Sequence, residues 1–171
     1  MFEKKIDNFE DLFCHELSDL RNAEMQLTKA LPKMAKAASN PDLKAGFEQH
    51  LKETEQQLAT LDEIFESLGW EPEKITCEAM KGLIKEGDDA VEEFEAGALL
   101  DVALIIAAQK VEHYEISGYG SACALGKKLG LTDVVTKLRA IEEQEAATDK
   151  KLTAAAMNIN EEAASYAEAA E

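Results

Sequence analysis

The feature that most constrains this chain is a set of helical apolar seams that carry acids at their centres. Each residue turns an α-helix by about 100°, so apolar positions three, four or seven apart share one face. Phe13, Leu17, Leu20, Leu27 and Leu31 form such a face, and the position missing from its gap of seven is Glu24. Val134, Leu138, Ile141, Leu152 and Ala156 repeat the arrangement, with Glu145 at the centre, Asp149 one turn later and Glu142 flanking. Leu104, Ala108, Val111, Tyr119 and Ala122 make a third face, from which Glu112 and Glu115 project while His113 points to the other side, near Val102 and Ile106. A fourth face runs through Leu43, Phe47, Leu51, Leu58, Leu61, Phe65 and Leu68, and its middle turns become polar at His50, Glu53, Thr54 and Gln57. Burying a carboxylate is costly unless something compensates its charge, so acids repeated in this way require a partner.

Chain breakers set the topology. "SNPD" at 39–42 offers Asn40 as a helix cap and Pro41 as a first helical residue; "LGWEPEK" at 68–74 and "LGLTD" at 129–133 are further breaks. Long helices are therefore predicted near 7–38, 41–68, 97–129 and 132–158, with a shorter, less regular helical piece near 76–95. The short loops make each outer pair an antiparallel hairpin, and the long middle connection can cross the whole bundle. An all-α, ferritin-like four-helix bundle of two hairpins joined by a crossover is the fold that results. The bundle is expected to fill residues 1–158 as one domain, with "INEEAASYAEAAE" at 159–171 as a flexible tail.

Composition removes several function classes. A formal charge of -17 disfavours nucleic acid and anionic membranes and favours cations. The longest apolar run, "ALLDVALIIAA", falls short of the ~20 residues of a membrane span and contains Asp101. Cys14, Cys77 and Cys123 are scattered, without a C-x-x-C pair, and read as free thiols packed as small apolar residues. The start, "MFEKKIDNFE", has no apolar stretch of the signal-peptide kind, so a cytoplasmic location is expected. No nucleophilic triad, phosphate loop or dinucleotide fingerprint is present.

In an antiparallel bundle the mid-helix turns share one depth. Glu24, Glu53, Glu112, Glu115 and Glu145 should therefore converge, with Asp149 as a supporting partner. His50 reaches the same region from one turn before Glu53, either as a ligand or as a hydrogen-bonded core histidine. Two divalent metal ions would supply the charge these acids need. Di-iron bundles take a Glu from each of two helices and Glu-x-x-His from the other two. Here Gln56 follows Glu53 by three and Thr148 follows Glu145 by three, so the donor set is rich in oxygen and suits iron or manganese, with zinc or magnesium as alternatives. Tyr119, one turn from Glu115, is either a packed aromatic with a satisfied hydroxyl or a donor and radical sink beside the site.

The stretches "LSDLRNAEMQL", "HLKETEQQL", "AAQKVEHYEISGYG" and "EAATDKKL" resemble the YciE/YciF family of stress-associated bacterial proteins, and the resemblance spans about Phe9 to Asn158. It implies a ferritin-like fold, a di-iron centre, a homodimer and a cytoplasmic role in stress. Glu112-x-x-Glu115 resembles the rubrerythrin arrangement. The activity expected is oxidation of Fe(II) with O2 or peroxide, of the ferroxidase or peroxide-scavenging type. The alternative is a non-enzymatic dimeric bundle that holds a structural metal or a protein partner, with Val102 and Ile106 on its contact face.

Overall fold

The structure, a computed structural model, describes the backbone of residues 5–169 and side chains through residue 165. Five helices follow one another: α1 Phe9–Ala37, α2 Pro41–Leu68, α3 Glu78–Glu93, α4 Ala98–Lys128 and α5 Thr132–Ala169. Their ends follow the local chemistry. Asn8 caps α1 by accepting from the Asp11 amide at 2.8 Å. Asn40 caps α2 by accepting from the amides of Asp42 and Leu43 at 2.9 and 3.1 Å, with Pro41 in the first turn where no amide is missed. Gly69 (φ 66°) ends α2, and Gly130 (φ 74°) turns the chain from α4 into α5; both adopt the left-handed conformation that glycine takes at low cost.

α1 packs antiparallel on α2 and α4 on α5, as the short loops require. The hairpins meet through α1 against α4 and, much more sparsely, through α2 against α5. α3 belongs to the crossover and lies over α4 and α1. The crossover is pinned there by Tyr114 of α4, whose hydroxyl donates to Asp19 of α1 and stands 2.9 Å from the Cys77 sulfur. At one end, the Asp101 carboxylate of α4 accepts from the Ser39 and Asn40 amides, each at 2.8 Å, and so ties the α1–α2 turn to the second hairpin. This is the fold predicted, a four-helix bundle of two hairpins with a helical crossover.

Two apolar cores occupy the two ends of the bundle. Phe13, Leu17, Leu20, Leu61, Leu138 and Ile141 belong to one; Leu27, Leu31, Phe47, Leu104 and Leu152 belong to the other. The acids lie in the polar stretch that separates them.

Two features depart from the sequence reading. The crossover piece is a regular helix that buries Met80 and Gly87, not an irregular one. The segment beyond residue 158 is not separated from the bundle by a break: α5 continues to Ala169, and Ile159 is buried in the core seven residues after Leu152, on the same stripe. The last two positions of the expected tail, 170 and 171, lie outside the described residues. No helix among the described residues is long and apolar enough to cross a membrane.

Candidate metal centre

Each long helix delivers a side chain to the polar middle layer because an acid or histidine replaces the apolar residue of its seam there. Glu24 on α1, Glu112 and Glu115 on α4 and Glu145 on α5 are at most 1% exposed, and His50 on α2 is 5% exposed. His50, Glu112, Glu115 and Glu145 each place one ligating atom within 4.8 Å of the others'. His50 Nε2 stands 3.2 Å from Glu112 Oε1 and 3.9 Å from Glu145 Oε2. Glu24 adjoins the group through Glu115, and the Tyr119 hydroxyl donates to Glu24 Oε1.

Two predicted residues are placed differently. The Glu53 side chain is 24% exposed, accepts from Gln49 Nε2 at 3.1 Å and lies 3.7 Å from His50 Nδ1, so it stands at the rim of the group. Asp149 is not brought into the group. It accepts from Gln109 Nε2 at 3.0 Å and lies 3.5 Å from His113 Nε2, on the outer seam between α4 and α5. The reason is angular, since a residue four positions after Glu145 is rotated about 40° around α5, enough to leave the bundle axis. His113 is exposed, as its position opposite Glu112 predicts. His15 is on the surface, 2.7 Å from Glu73.

Sequence reasoning did not identify the pairings that orient the acids. Gln57 Nε2 donates to Glu145 Oε1 and, at 3.2 Å, to Gln144 Oε1. Tyr119 and Gln57 thus serve opposite walls in the same way, each orienting one acid on a neighbouring helix. The available signal was a polar residue at a seam position, since Gln57 and Thr54 are both buried.

The electrostatics are those of acids crowded without enough positive charge. Burial pushes Glu24 up to about 7, tempered by the Tyr119 hydrogen bond. Burial, reinforced by the Glu112 carboxylate, pushes Glu145 up to about 9. Burial also raises Glu115 well above the usual carboxylate range, and the charges of Glu24, Glu145 and Glu112 add to the effect. Burial alone would lower His50; the flanking Glu112 and Glu53 carboxylates and the charge of Glu145 outweigh it and push the imidazole up to about 10. Glu53 is held down at about 2 by its His50 neighbour.

Protein groups leave much of this layer unsatisfied. Among the described residues, Glu24 Oε2, Glu112 Oε2, both oxygens of Glu115 and Glu145 Oε2 are buried with no hydrogen-bond partner. Buried polar atoms are almost always paired, so a concentration of orphans in one layer marks a place built for a ligand. Carboxylate oxygens with one imidazole are a donor set for iron or manganese, and the residues present fit divalent cations. α3 packs on α4 and α1, whereas the α2–α5 side of this layer opens through a cavity of about 290 Å³ that reaches His50, Glu53 and Glu112.

Residues 8–165 match the family described as a domain of unknown function, DUF892. Protein YciF of Escherichia coli strain K12 is 44% identical over 160 residues, covering 92% of this chain and 96% of its own. The crystal structure of that organism's stress protein YciF superposes with a TM-score of 0.88 at 43% identity, covering 91% of this chain and 99% of the other. A ferritin-like, diiron-carboxylate protein from Bacillus anthracis, 17% identical, shares the fold with a TM-score of 0.69 over 88% of this chain and 99% of its own. The chain thus belongs to the DUF892 family, the family of YciF, and carries its ferritin-like helical bundle with a buried cluster of His and Glu that could bind metal.

Proposed function

We propose that the chain is a di-iron carboxylate protein that oxidises Fe(II) with O2 or peroxide, acting as a cytoplasmic homodimer in the response to stress. The observation that carries this reading is the set of orphaned carboxylate oxygens from α1, α4 and α5, facing His50 of α2 in one buried layer. Glu24, Glu112, Glu115, Glu145 and His50 would hold the metal, with Glu53 closing the set from the rim. Two iron ions held together would supply two electrons in one event.

The chain's own groups prepare that chemistry. Tyr119 and Gln57 fix one oxygen of Glu24 and of Glu145, leaving the other oxygen of each free for a cation. Leu20, Leu27, Leu104 and Leu138 exclude water above and below the acids, which strengthens every charge interaction between them. Glu145, pushed up to about 9 by burial, would release a proton as cations bind. The stress role is supported by the likeness to the E. coli stress protein YciF.

Anaerobic titration tests the reading: the purified chain should take up about two Fe(II) per protomer. Air or hydrogen peroxide should then produce ferric absorbance faster than in protein-free Fe(II). No uptake, or oxidation no faster than the control, would refute it.

A further inference from the structure

The α2–α5 cavity is not the shape that iron or hydrogen peroxide requires. Its lining combines an apolar stretch, Leu43 and Phe47 from α2 and Leu152 and Ala155 from α5, with the polar Gln49 and Thr148, and it includes His50 and Glu112 of the site. A cation has no use for the apolar stretch of that lining. Hydrogen peroxide is close in size to water, whose share of liquid volume is about 30 Å³, whereas the cavity measures about 290 Å³. That volume lies at the small end of organic-ligand pockets. Charge selects the ligand further. Three carboxylates, Glu53, Glu112 and, at the rim, Asp42, face the cavity against two basic groups, Lys151 and His50, so the acids outnumber the bases and a neutral head group is favoured over an anionic one.

We propose that this cavity binds an organic hydroperoxide, its apolar body against Leu43, Phe47 and Leu152 and its O–O head toward His50 and Glu112. The chemistry rests on the ferrous reading above, while the binding rests on the cavity alone. The O–O bond breaks as two Fe(II) are oxidised to two Fe(III). Each oxygen takes one proton from solvent, so that one leaves as water and the other stays on carbon as an alcohol.

Binding is tested without iron. Cumyl alcohol, the unreactive product analogue, and benzoate, an anion of similar size, are titrated into the metal-free chain by calorimetry. Gly46→Phe on α2 and Ala155→Phe on α5 fill the cavity from opposite walls. A Cβ at Gly46 meets nothing within 4 Å, and replacing a mid-helix glycine favours the helix, so the backbone accepts a side chain there; circular dichroism checks that both variants fold. Cumyl alcohol should bind the wild type, benzoate at least about ten-fold more weakly, and each variant should lose about ten-fold. In iron-loaded protein, Gly46→Phe should slow reduction of cumene hydroperoxide about ten-fold more than it slows the reaction with hydrogen peroxide.

The proposal is overturned if cumyl alcohol does not bind, if benzoate binds as tightly, or if both variants bind and turn over like the wild type. A chain that binds the alcohol selectively but takes up no iron refutes the ferrous reading and the hydroperoxide step, leaving a cavity for neutral apolar ligands. A chain that oxidises iron with hydrogen peroxide but shows no alcohol binding refutes the cavity proposal alone.

Discussion

Glu145→Gln should make the metal-free protein more stable, which is opposite to the usual effect of changing a fully buried residue. Glu145 is pushed from an ordinary 4.5 up to about 9 by burial and by Glu112. A group whose pKa is raised on folding contributes its full stability below its unfolded value and loses it as pH climbs toward the folded one. The loss runs at about 1.4 kcal/mol per pH unit, so between 4.5 and pH 7 it reaches about 3 kcal/mol. Glutamine has the same shape, carries no proton to release and still offers an oxygen to Gln57 Nε2. Relative to the wild type, the variant should therefore gain about 3 kcal/mol at pH 7 and close to nothing at pH 4.5. For a chain of this length that is a rise in Tm of roughly 6 to 12 °C. Urea and thermal unfolding with chelator present, at both pH values, measure the difference. Mn(II) at a hundred times its Kd should stabilise the wild type by about 2.7 kcal/mol and the variant by much less. A variant no more stable than wild type at pH 7, or equally stabilised at pH 4.5, would refute the claim that burial without adequate positive charge disfavours an ionised Glu145.

Other perturbations probe the supports of the site and the fold. Tyr119→Phe removes the donor to Glu24, and Mn(II) affinity measured by calorimetry should fall about 10- to 100-fold. Asp101→Asn replaces a carboxylate that accepts from two amides at the α1–α2 turn and should cost about 1.5 to 3 kcal/mol in urea unfolding. Gly118→Ala would place a Cβ 2.7 Å from Leu20 Cδ2, between α4 and α1, and should cost about 1 to 3 kcal/mol by the same assay, with Leu20→Ala restoring part of it in the double variant. Glu24, Glu115 and Glu145 are all raised by burial, so the thermal midpoint of the metal-free chain should fall from pH 5 to pH 9, whereas saturating Mn(II) should flatten that slope.

The fold was legible because its signals are local. Asn40–Pro41 and the glycines at 69 and 130 mark helix ends through their own backbone preferences, and the seams mark which side of each helix is buried. Glu24, Glu112, Glu115 and Glu145 could be read from the same seams, since an acid between leucines breaks a strong pattern. What could not be read depends on angle and on distant partners. Asp149 and Glu145 differ by one turn, yet that small rotation turns Asp149 toward Gln109 and His113. Tyr119 reaches Glu24 across 95 residues and Gln57 reaches Glu145 across 88, and no local pattern encodes such a pairing. The helix beyond residue 158 was obscured by composition: its Ala and Glu suggest a tail, although Ile159 continues the stripe of Leu152.

The central claim is that acids from separate helices meet in one buried layer and are held there by cations. Anomalous difference maps from crystals grown with Mn(II) test it most directly. Two peaks among Glu24, Glu112, Glu115, Glu145 and His50 are the predicted result. Peaks confined to surface acids, with this layer unchanged and empty of metal, would contradict it.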